Sequence, residues 1–173
     1  KSVSGHLMFE PWTVETKAGG FFRVYTPFWR AVSGRDVATP LPAPTKLPSP
    51  DTWPQSEHLS DWKMGAGLRR GQLVLSQYLS AGEDAAQDIL FQFMETGVDR
   101  YATGRDLMGV NGTSRLSQFL TLGEISPRQV WHVARQALMQ GAADAEAFIK
   151  QLVWREFGYH LMYHTPHITT GNW

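Results

Sequence analysis

Hydroxyl side chains and one arginine crowd the start of a short helix that the sequence predicts from about Thr113. Thr113, Ser114 and Ser117 supply hydroxyl donors, and Arg115 supplies a fixed cation within the same stretch. Gly112, directly before them, would let the backbone approach a ligand closely. Donors of this kind beside the unpaired amides of a helix N-terminus favour a phosphate or diphosphate ligand.

An ordinary capped helix explains the same residues without any ligand. Ser and Thr are the usual N-cap residues, and Arg115 could then pair with Glu124. Neither a Walker lysine nor the glycine fingerprint of dinucleotide-binding folds accompanies the cluster, so the standard nucleotide-binding folds are not indicated. From the residues alone, both interpretations stay open.

A second candidate site lies in the segment QLVWREF, Gln151 to Phe157. Trp154 and Arg155 would occupy neighbouring faces of a helix there. An aromatic ring beside a cation suits stacking on a nucleobase and pairing with its phosphate. The alternative is a tryptophan in the core and an arginine in a surface ion pair.

Three potential metal ligands share one stripe of the same predicted helix. Glu156, His160 and His164 are spaced four residues apart, and His167 follows. Two histidines at this spacing can share a metal, but Glu156 and His164 are two turns apart and cannot close one coordination shell. We therefore expect no metal site and histidines that form hydrogen bonds. No nucleophile and base can be paired from the sequence, so no catalytic residue is assigned.

Composition bounds the class of protein. The 173 residues suit one domain, and 16 acidic and 16 basic side chains balance, so no global basic field attracts nucleic acid. Cysteine is absent, which excludes disulfides and thiolate chemistry. No apolar run approaches the roughly 18 residues that a membrane span needs. We expect a cytoplasmic protein that makes no membrane contact.

The N-terminal third is predicted to be a linker. Eight of the ten prolines lie between Pro11 and Pro54, which argues against a mainly helical segment. Alternation from Trp12, a turn at Ala18–Gly20 and the following run Phe21–Tyr25 predict a short β-hairpin. Thr39–Pro54 is typical of an extended, proline-rich connector.

From Ser60 onward the sequence predicts helices only. Glycines break the segment 60–79 into short helices, whereas 80–106 holds a longer one that Ser80 or Gly82 could cap. Ser126, Pro127 and Gln129 form a capping box that starts another helix. Residues 143–166 hold the longest helix, with an apolar stripe of Phe148, Leu152, Val153, Phe157 and Leu161. We predict an all-α part over 60–173 behind a linker over 1–59.

Three motifs carry a resemblance to one family. GTSRLSQFLTLGEISPRQVW (112–131) resembles the flavin-binding signature of the DNA photolyase and cryptochrome family. WREFGYHLMYHTPH (154–167) resembles a helix of that family, and FFRVYTPFWRAV (21–32) resembles its entry to the helical domain. The resemblance implies the interdomain linker plus the first half of the helical FAD-binding domain. It implies that an α/β domain, with a possible antenna chromophore, precedes this stretch in the complete protein.

The resemblance also assigns residues. It implies FAD as cofactor, held by Tyr101, Thr113, Ser114, Arg115, Leu116, Ser117 and Phe148. It implies contacts to damaged DNA from Arg105, Gln151, Trp154 and Gly158, with Trp154 stacking on a flipped pyrimidine dimer. Gln151 stands where cyclobutane-dimer photolyases often carry Glu, and Gly158 replaces a larger residue, so the lesion class stays open.

What the resemblance implies for activity is light-driven repair. A member of the family would split ultraviolet-induced pyrimidine dimers by electron transfer from reduced FAD, with the electron-transfer residues outside this chain. A cryptochrome photoreceptor with the same FAD pocket is the first alternative, and a helical adaptor without flavin is the second. We expect the 173-residue stretch alone to be inactive, because the remaining half of the cofactor pocket would come from missing helices.

Overall fold

A computed structural model describes residues 4–172 of the chain. Their regular structure is helical, with no β-strand among them. The α-helices are α1 (Tyr25–Val32), α2 (Arg70–Leu75), α3 (Glu83–Thr96), α4 (Tyr101–Gly104), α5 (Ser117–Leu122), α6 (Pro127–Met139) and α7 (Ala145–His164). Short 3-10 helices cover Pro11–Thr13, Leu59–Trp62, Ala66–Leu68, Val98–Arg100 and Pro166–Thr169.

The predicted β-hairpin is wrong. The turn forms where expected, since the Thr16 amide donates to the Gly20 carbonyl at 2.9 Å, but no ladder follows it. Instead, the second arm packs against α7: the Phe21 ring stacks on His164 and the Phe22 amide donates to Nε2 of His160 at 3.1 Å. Tertiary contacts thus replace the strand pairing that the aromatic run predicted.

The chain divides into two compact units. One unit comprises the described residues up to Pro40 together with those from Gly82 onward, and the other is Leu41–Ala81. The second unit contains α2 and two 3-10 helices, as the glycine-interrupted sequence predicted, and it buries none of its helical residues. The predicted boundary between 1–59 and 60–173 concerns the domains of the complete protein and stays a prediction.

The larger unit is built around α7. This helix runs for 20 residues and ends at His164, directly before the Thr165-Pro166 pair, as predicted. It packs against α6, α1 and α4. Its buried residues Phe148, Leu152, Val153 and Phe157 lie in one hydrophobic core with residues of α3 and α6.

Local capping fixes where α6 starts. The Ser126 hydroxyl accepts from the Gln129 amide at 3.1 Å, and the Gln129 side chain accepts from the Ser126 amide at 2.8 Å. Pro127 occupies the first helical position. The predicted capping box is therefore confirmed, and it orients the segment that follows α5.

Within residues 4–172, none of the helices combines the length and the apolar composition needed to cross a membrane.

Candidate functional site

A cavity of about 750 Å³ lies between α4, the loop before α5, and α7. All residues that the resemblance implied for cofactor binding line it, as do Arg105 and Gln151. Trp154 and Gly158 are not among its lining residues. The remaining lining residues are Asp106, Leu120, Thr121, Val130, Leu152, Arg155 and Tyr159. Among these seven, only Arg155 belonged to a predicted site, the one that it was expected to form with Trp154.

One end of the cavity is lined by polar side chains that form no hydrogen bond within the described chain. Within the described chain, Thr113, Ser114 and Arg115 form neither a hydrogen bond nor an ion pair with another residue. Arg115 is exposed and adopts a left-handed backbone conformation, with φ of 56°. An unpaired guanidinium and two hydroxyls at one mouth of a cavity can bind an anion.

The helix behind this loop starts later than predicted. α5 begins at Ser117, and its first backbone hydrogen bond runs from the Leu120 amide to the Leu116 carbonyl at 3.0 Å. Leu116 is the N-cap residue and its apolar side chain cannot cap. Thr113 and Ser114 therefore lie in the loop and do not cap the helix. Because α5 has only six residues, the hydroxyls and the guanidinium contribute more to an anion site than the helix dipole.

The alternative pairing of Arg115 with Glu124 is wrong. Glu124 accepts from the Gly82 amide at 2.8 Å, which ties the segment after α5 to the start of α3. Among the residues that the structure describes, no carboxylate lies within salt-bridge distance of Arg115. The cation is therefore left facing the cavity.

Gly112 was predicted to let the backbone approach a ligand, but in the structure its backbone lies against Gly104. A Cβ atom at this position would collide with the backbone carbonyl of Gly104. The absent side chain thus lets the loop close against the end of α4, instead of admitting a ligand. This backbone contact places Thr113 and Ser114 beside the residues of α4 that line the cavity.

Two aromatic side chains, Tyr101 and Phe148, also line the cavity. Their buried rings pack edge-to-face or tilted with each other and with Phe93, which lies behind them in the core, at centroid distances of 4.9 to 5.7 Å. The Arg105 guanidinium lies 5.8 Å from the Tyr101 ring centroid. Burial raises the pKa of Tyr101, and the nearby Arg105 opposes this shift. The wall therefore offers neutral, flat surfaces beside a cation, which suits an aromatic ligand.

α7 forms the floor of the cavity through one stripe of side chains. Phe148, Gln151, Leu152, Arg155 and Tyr159 follow the spacing of three to four residues that places them on one face. This spacing was visible in the sequence, and it could have identified Arg155 and Tyr159 as lining residues.

A network of polar side chains ties the N-terminal segment to this stripe. Arg155 donates to the His6 carbonyl at 3.0 Å and to Nε2 of His6 at 2.7 Å, and the Tyr159 hydroxyl lies 2.7 Å from the same nitrogen. Arg155 also pairs with Glu156 at 2.8 Å. Burial and the positive charge of Arg155 lower the pKa of His6.

Glu156 is one of the few buried charged residues in the described chain. Its Oε2 accepts from the amides of Met8 and Phe9 at 2.7 and 3.1 Å. Burial raises the pKa of Glu156, while these amides and Arg155 act in the opposite direction. Glu156 therefore anchors the N-terminal segment.

The histidines of the same stripe form hydrogen bonds, as predicted. His160 is buried, and its Nε2 accepts from the Phe22 amide at 3.1 Å. Nε2 of His164 lies 3.3 Å from the Pro11 carbonyl. Burial and the neighbouring His164 lower the pKa of His160 to about 4. These side chains hold the N-terminal segment on α7.

Trp154 and Gly158 lie outside the cavity. One face of the Trp154 indole is covered by the Tyr25 ring, and 46% of the residue remains exposed. Gly158 is exposed and borders a smaller apolar groove with Tyr159, Leu161 and Met162. The alternative interpretation of Trp154 as a core residue is wrong, because it lies at the surface.

The chain is similar to known proteins along its whole length. A sequence profile of the family described as DNA photolyase matches residues 1–47. The chain is 42% identical to a deoxyribodipyrimidine photo-lyase of Agrobacterium fabrum, over all of the chain and 36% of that protein. It is 36% identical to a deoxyribodipyrimidine photo-lyase of Thermus thermophilus, over 93% of the chain and 34% of that protein.

A solved structure shows the same likeness. The crystal structure of a bacterial class III photolyase from Agrobacterium tumefaciens matches with a TM-score of 0.87 and 40% identity. The match covers 98% of this chain and 36% of that one. The chain thus spans about a third of the length of these relatives. The family model, these relatives and the solved structure all name a photolyase, so sequence and fold agree that the chain is similar to part of a DNA photolyase.

Proposed function

We propose that the complete protein containing this chain is a deoxyribodipyrimidine photolyase, a light-driven and FAD-dependent enzyme that repairs pyrimidine dimers. The main support is the agreement of two findings. Relatives named deoxyribodipyrimidine photo-lyase match the whole chain, and the residues assigned to FAD from sequence motifs line one cavity. Repair is favoured over a photoreceptor role because the relatives described above carry the name of a repair enzyme.

The cavity has the chemistry that FAD requires. Arg115, Thr113 and Ser114 offer a cation and two hydroxyls that no other described residue uses, which suits a diphosphate. Tyr101 and Phe148 offer aromatic surfaces for flat rings. A volume of about 750 Å³ lies within the range of cofactor pockets. The residues therefore fit the group, and Leu116 and Ser117 complete the wall.

When bound, FAD would supply light absorption and one-electron transfer, and the chain would bind and orient it. Arg115 would hold the diphosphate by charge-assisted hydrogen bonds. Tyr101 and Phe148 would exclude water from one side of the cofactor. The rest of the pocket would come from parts of the protein beyond this chain, which we propose as its partners, together with an α/β domain that can carry an antenna pigment.

The DNA-facing assignments form the second part of the proposal. Arg105, at the cavity wall and partly exposed, would contact the DNA backbone. Trp154 would stack on an extruded base with its free face, and Gln151 would form hydrogen bonds to the lesion from the cavity floor. Gly158 leaves open space at its position, which widens the adjoining surface.

Repair assays on the complete protein test this proposal. The purified protein should be yellow, with flavin absorbance in stoichiometric amount. Under blue light it should restore intact thymines in an oligonucleotide that carries a cyclobutane dimer. A flavin-containing protein that repairs neither cyclobutane nor (6-4) lesions would be a photoreceptor. A colourless protein would support the adaptor interpretation and refute the proposal.

A further inference from the structure

Two aromatic rings from distant segments lie face to face on the surface of α7. The ring centroids of Tyr25 and Trp154 are 3.8 Å apart, and the ring planes differ by 7°. Tyr25 is the first residue of α1, and Trp154 lies in the middle of α7. The exposed surface of Trp154, 46% of the residue, therefore belongs to the opposite face and the free edge.

The structure fixes Tyr25 at two points. Its hydroxyl donates to the Lys150 carbonyl at 2.8 Å, one turn before Trp154 on α7. Its ring meets the buried Phe157 at a centroid distance of 5.9 Å, and Phe157 also meets Trp154 at 5.7 Å. Burial raises the pKa of Tyr25 to about 12, so the hydroxyl remains a donor at neutral pH.

We infer that Tyr25 is a positioning residue that holds the Trp154 indole flat with one face free, so that Trp154 receives a single planar base. This inference rests on the stacking role of Trp154 in the proposed function. A tryptophan supported on one face loses less rotamer freedom when a base binds than an unsupported one. Because Tyr25 covers one face of the Trp154 indole, a base can stack only on the opposite face.

Equilibrium binding by the complete, flavin-loaded protein tests the inference. The probes are a duplex with one cyclobutane thymine dimer and the same duplex without damage, compared by fluorescence anisotropy at one salt concentration. Tyr25→Leu should weaken binding of the damaged duplex by about 3- to 10-fold, the value of one aromatic pair. Tyr25→Phe, which keeps the ring, should weaken it by about twofold or less, since one neutral hydrogen bond adds little net. Flavin content and binding of the undamaged duplex should not change.

A double mutant separates positioning from general destabilisation. If Tyr25 acts through Trp154, Tyr25→Leu should have no further effect in a Trp154→Ala background. Tyr163→Leu, an exposed tyrosine on the same helix, serves as the matched control and should bind like the wild type. Tyr25→Met provides a second ring-free variant if the leucine variant is unstable.

Three results would overturn the inference, and they can be told apart. If Tyr25→Leu binds the damaged duplex like the wild type while Trp154→Ala binds it more weakly, the positioning role of Tyr25 is refuted and the stacking role of Trp154 stands. If Tyr25→Leu weakens binding of the damaged duplex equally in the wild-type and Trp154→Ala backgrounds, its effect is a general structural one and does not act through Trp154. Wild-type binding by Trp154→Ala refutes the stacking role in the proposed function and the role of Tyr25 with it.

Discussion

The backbone of Gly112 lies against the carbonyl of Gly104, at a distance that leaves no room for a Cβ atom on Gly112. The contact closes the loop between α4 and α5 beside the cavity. It explains why a glycine precedes the hydroxyl cluster, and it makes the shape of the loop that carries Thr113, Ser114 and Arg115 depend on a residue without a side chain.

Gly112→Ala should therefore open this loop. We expect reduced flavin retention and a lower melting temperature, because backbone on both sides of the contact must shift to admit the methyl group. Gly109→Ala in the same loop is the matched control, since a Cβ there meets no atom within 4 Å. The idea fails if both variants retain flavin equally, as measured by absorbance after gel filtration.

Arg115→Ala should weaken FAD retention by about 1.5–3 kcal/mol, roughly 10- to 150-fold in Kd, through loss of a charge-assisted contact. Flavin release during dialysis of the complete protein measures this loss. Arg135→Ala, an exposed arginine of α6 away from the cavity, should retain flavin normally. Equal retention by both variants would refute the diphosphate role.

The backbone of Arg115 gives a second observable at the same position. With φ of 56° it occupies a region that favours glycine. Arg115→Gly should therefore unfold at a higher temperature than Arg115→Ala, by an amount equivalent to about 1 kcal/mol. Both variants should lose flavin to a similar extent, because both lack the guanidinium. A more stable alanine variant would contradict this account of the loop.

His160 should make stability depend on pH. Its pKa in the folded protein, about 4, lies below the ordinary value of 6.5. The unfolded chain therefore binds the proton more readily, so stability is complete above pH 6.5 and declines as pH falls toward 4. The full shift corresponds to about 3 kcal/mol. Melting temperatures between pH 4 and 7 measure the decline.

The matched variants for this dependence are His160→Gln and His167→Gln. His160→Gln should give a shallower decline, since glutamine does not titrate. His167 is exposed, so His167→Gln should keep the wild-type slope. Parallel slopes for the wild type and His160→Gln would show that other groups cause the decline.

Glu156→Ala should destabilise the protein by about 3–5 kcal/mol, because it removes the partner of the Arg155 charge and the acceptor of the Met8 and Phe9 amides. Glu146 on the same helix forms an exposed pair with Lys150 at 2.8 Å, and Glu146→Ala should cost about 1 kcal/mol or less. Urea denaturation compares the two. Similar losses would show that the buried carboxylate does not anchor the N-terminal segment.

Local sequence signals predicted the start of α6 and the buried face of α7, but they did not predict α1, which lies in the stretch that was expected to be a linker. The capping box of Ser126 and Gln129 and the apolar stripe of α7 depend on neighbours within a few residues, so their patterns are complete in the sequence. The hairpin prediction failed because Phe21 and Phe22 pack against His164 and His160 of α7 instead of pairing with residues before the turn. That preference depends on a helix far along the chain.

In the candidate site too, local features could be predicted from the sequence, whereas contacts between distant segments could not. Motifs predicted the cavity-lining residues of the loop before α5, whereas Tyr159 lies in no predicted site although its spacing on α7 places it on the same face as Phe148 and Arg155. The Tyr25 stack on Trp154 and the closure of Gly112 on Gly104 each join segments whose proximity only the fold determines. No local sequence pattern predicts either contact.

A single helix, α7, carries both of the proposed recognition surfaces. Phe148 at the cavity wall and Trp154 at the base-stacking surface are six residues apart on α7, about 9 Å along its axis. If the proposed function is correct, α7 would act as a spacer of fixed length between the flavin and the lesion. Inserting or deleting one residue between them would turn one surface by about 100° relative to the other, so this interval should tolerate substitution but no change of length.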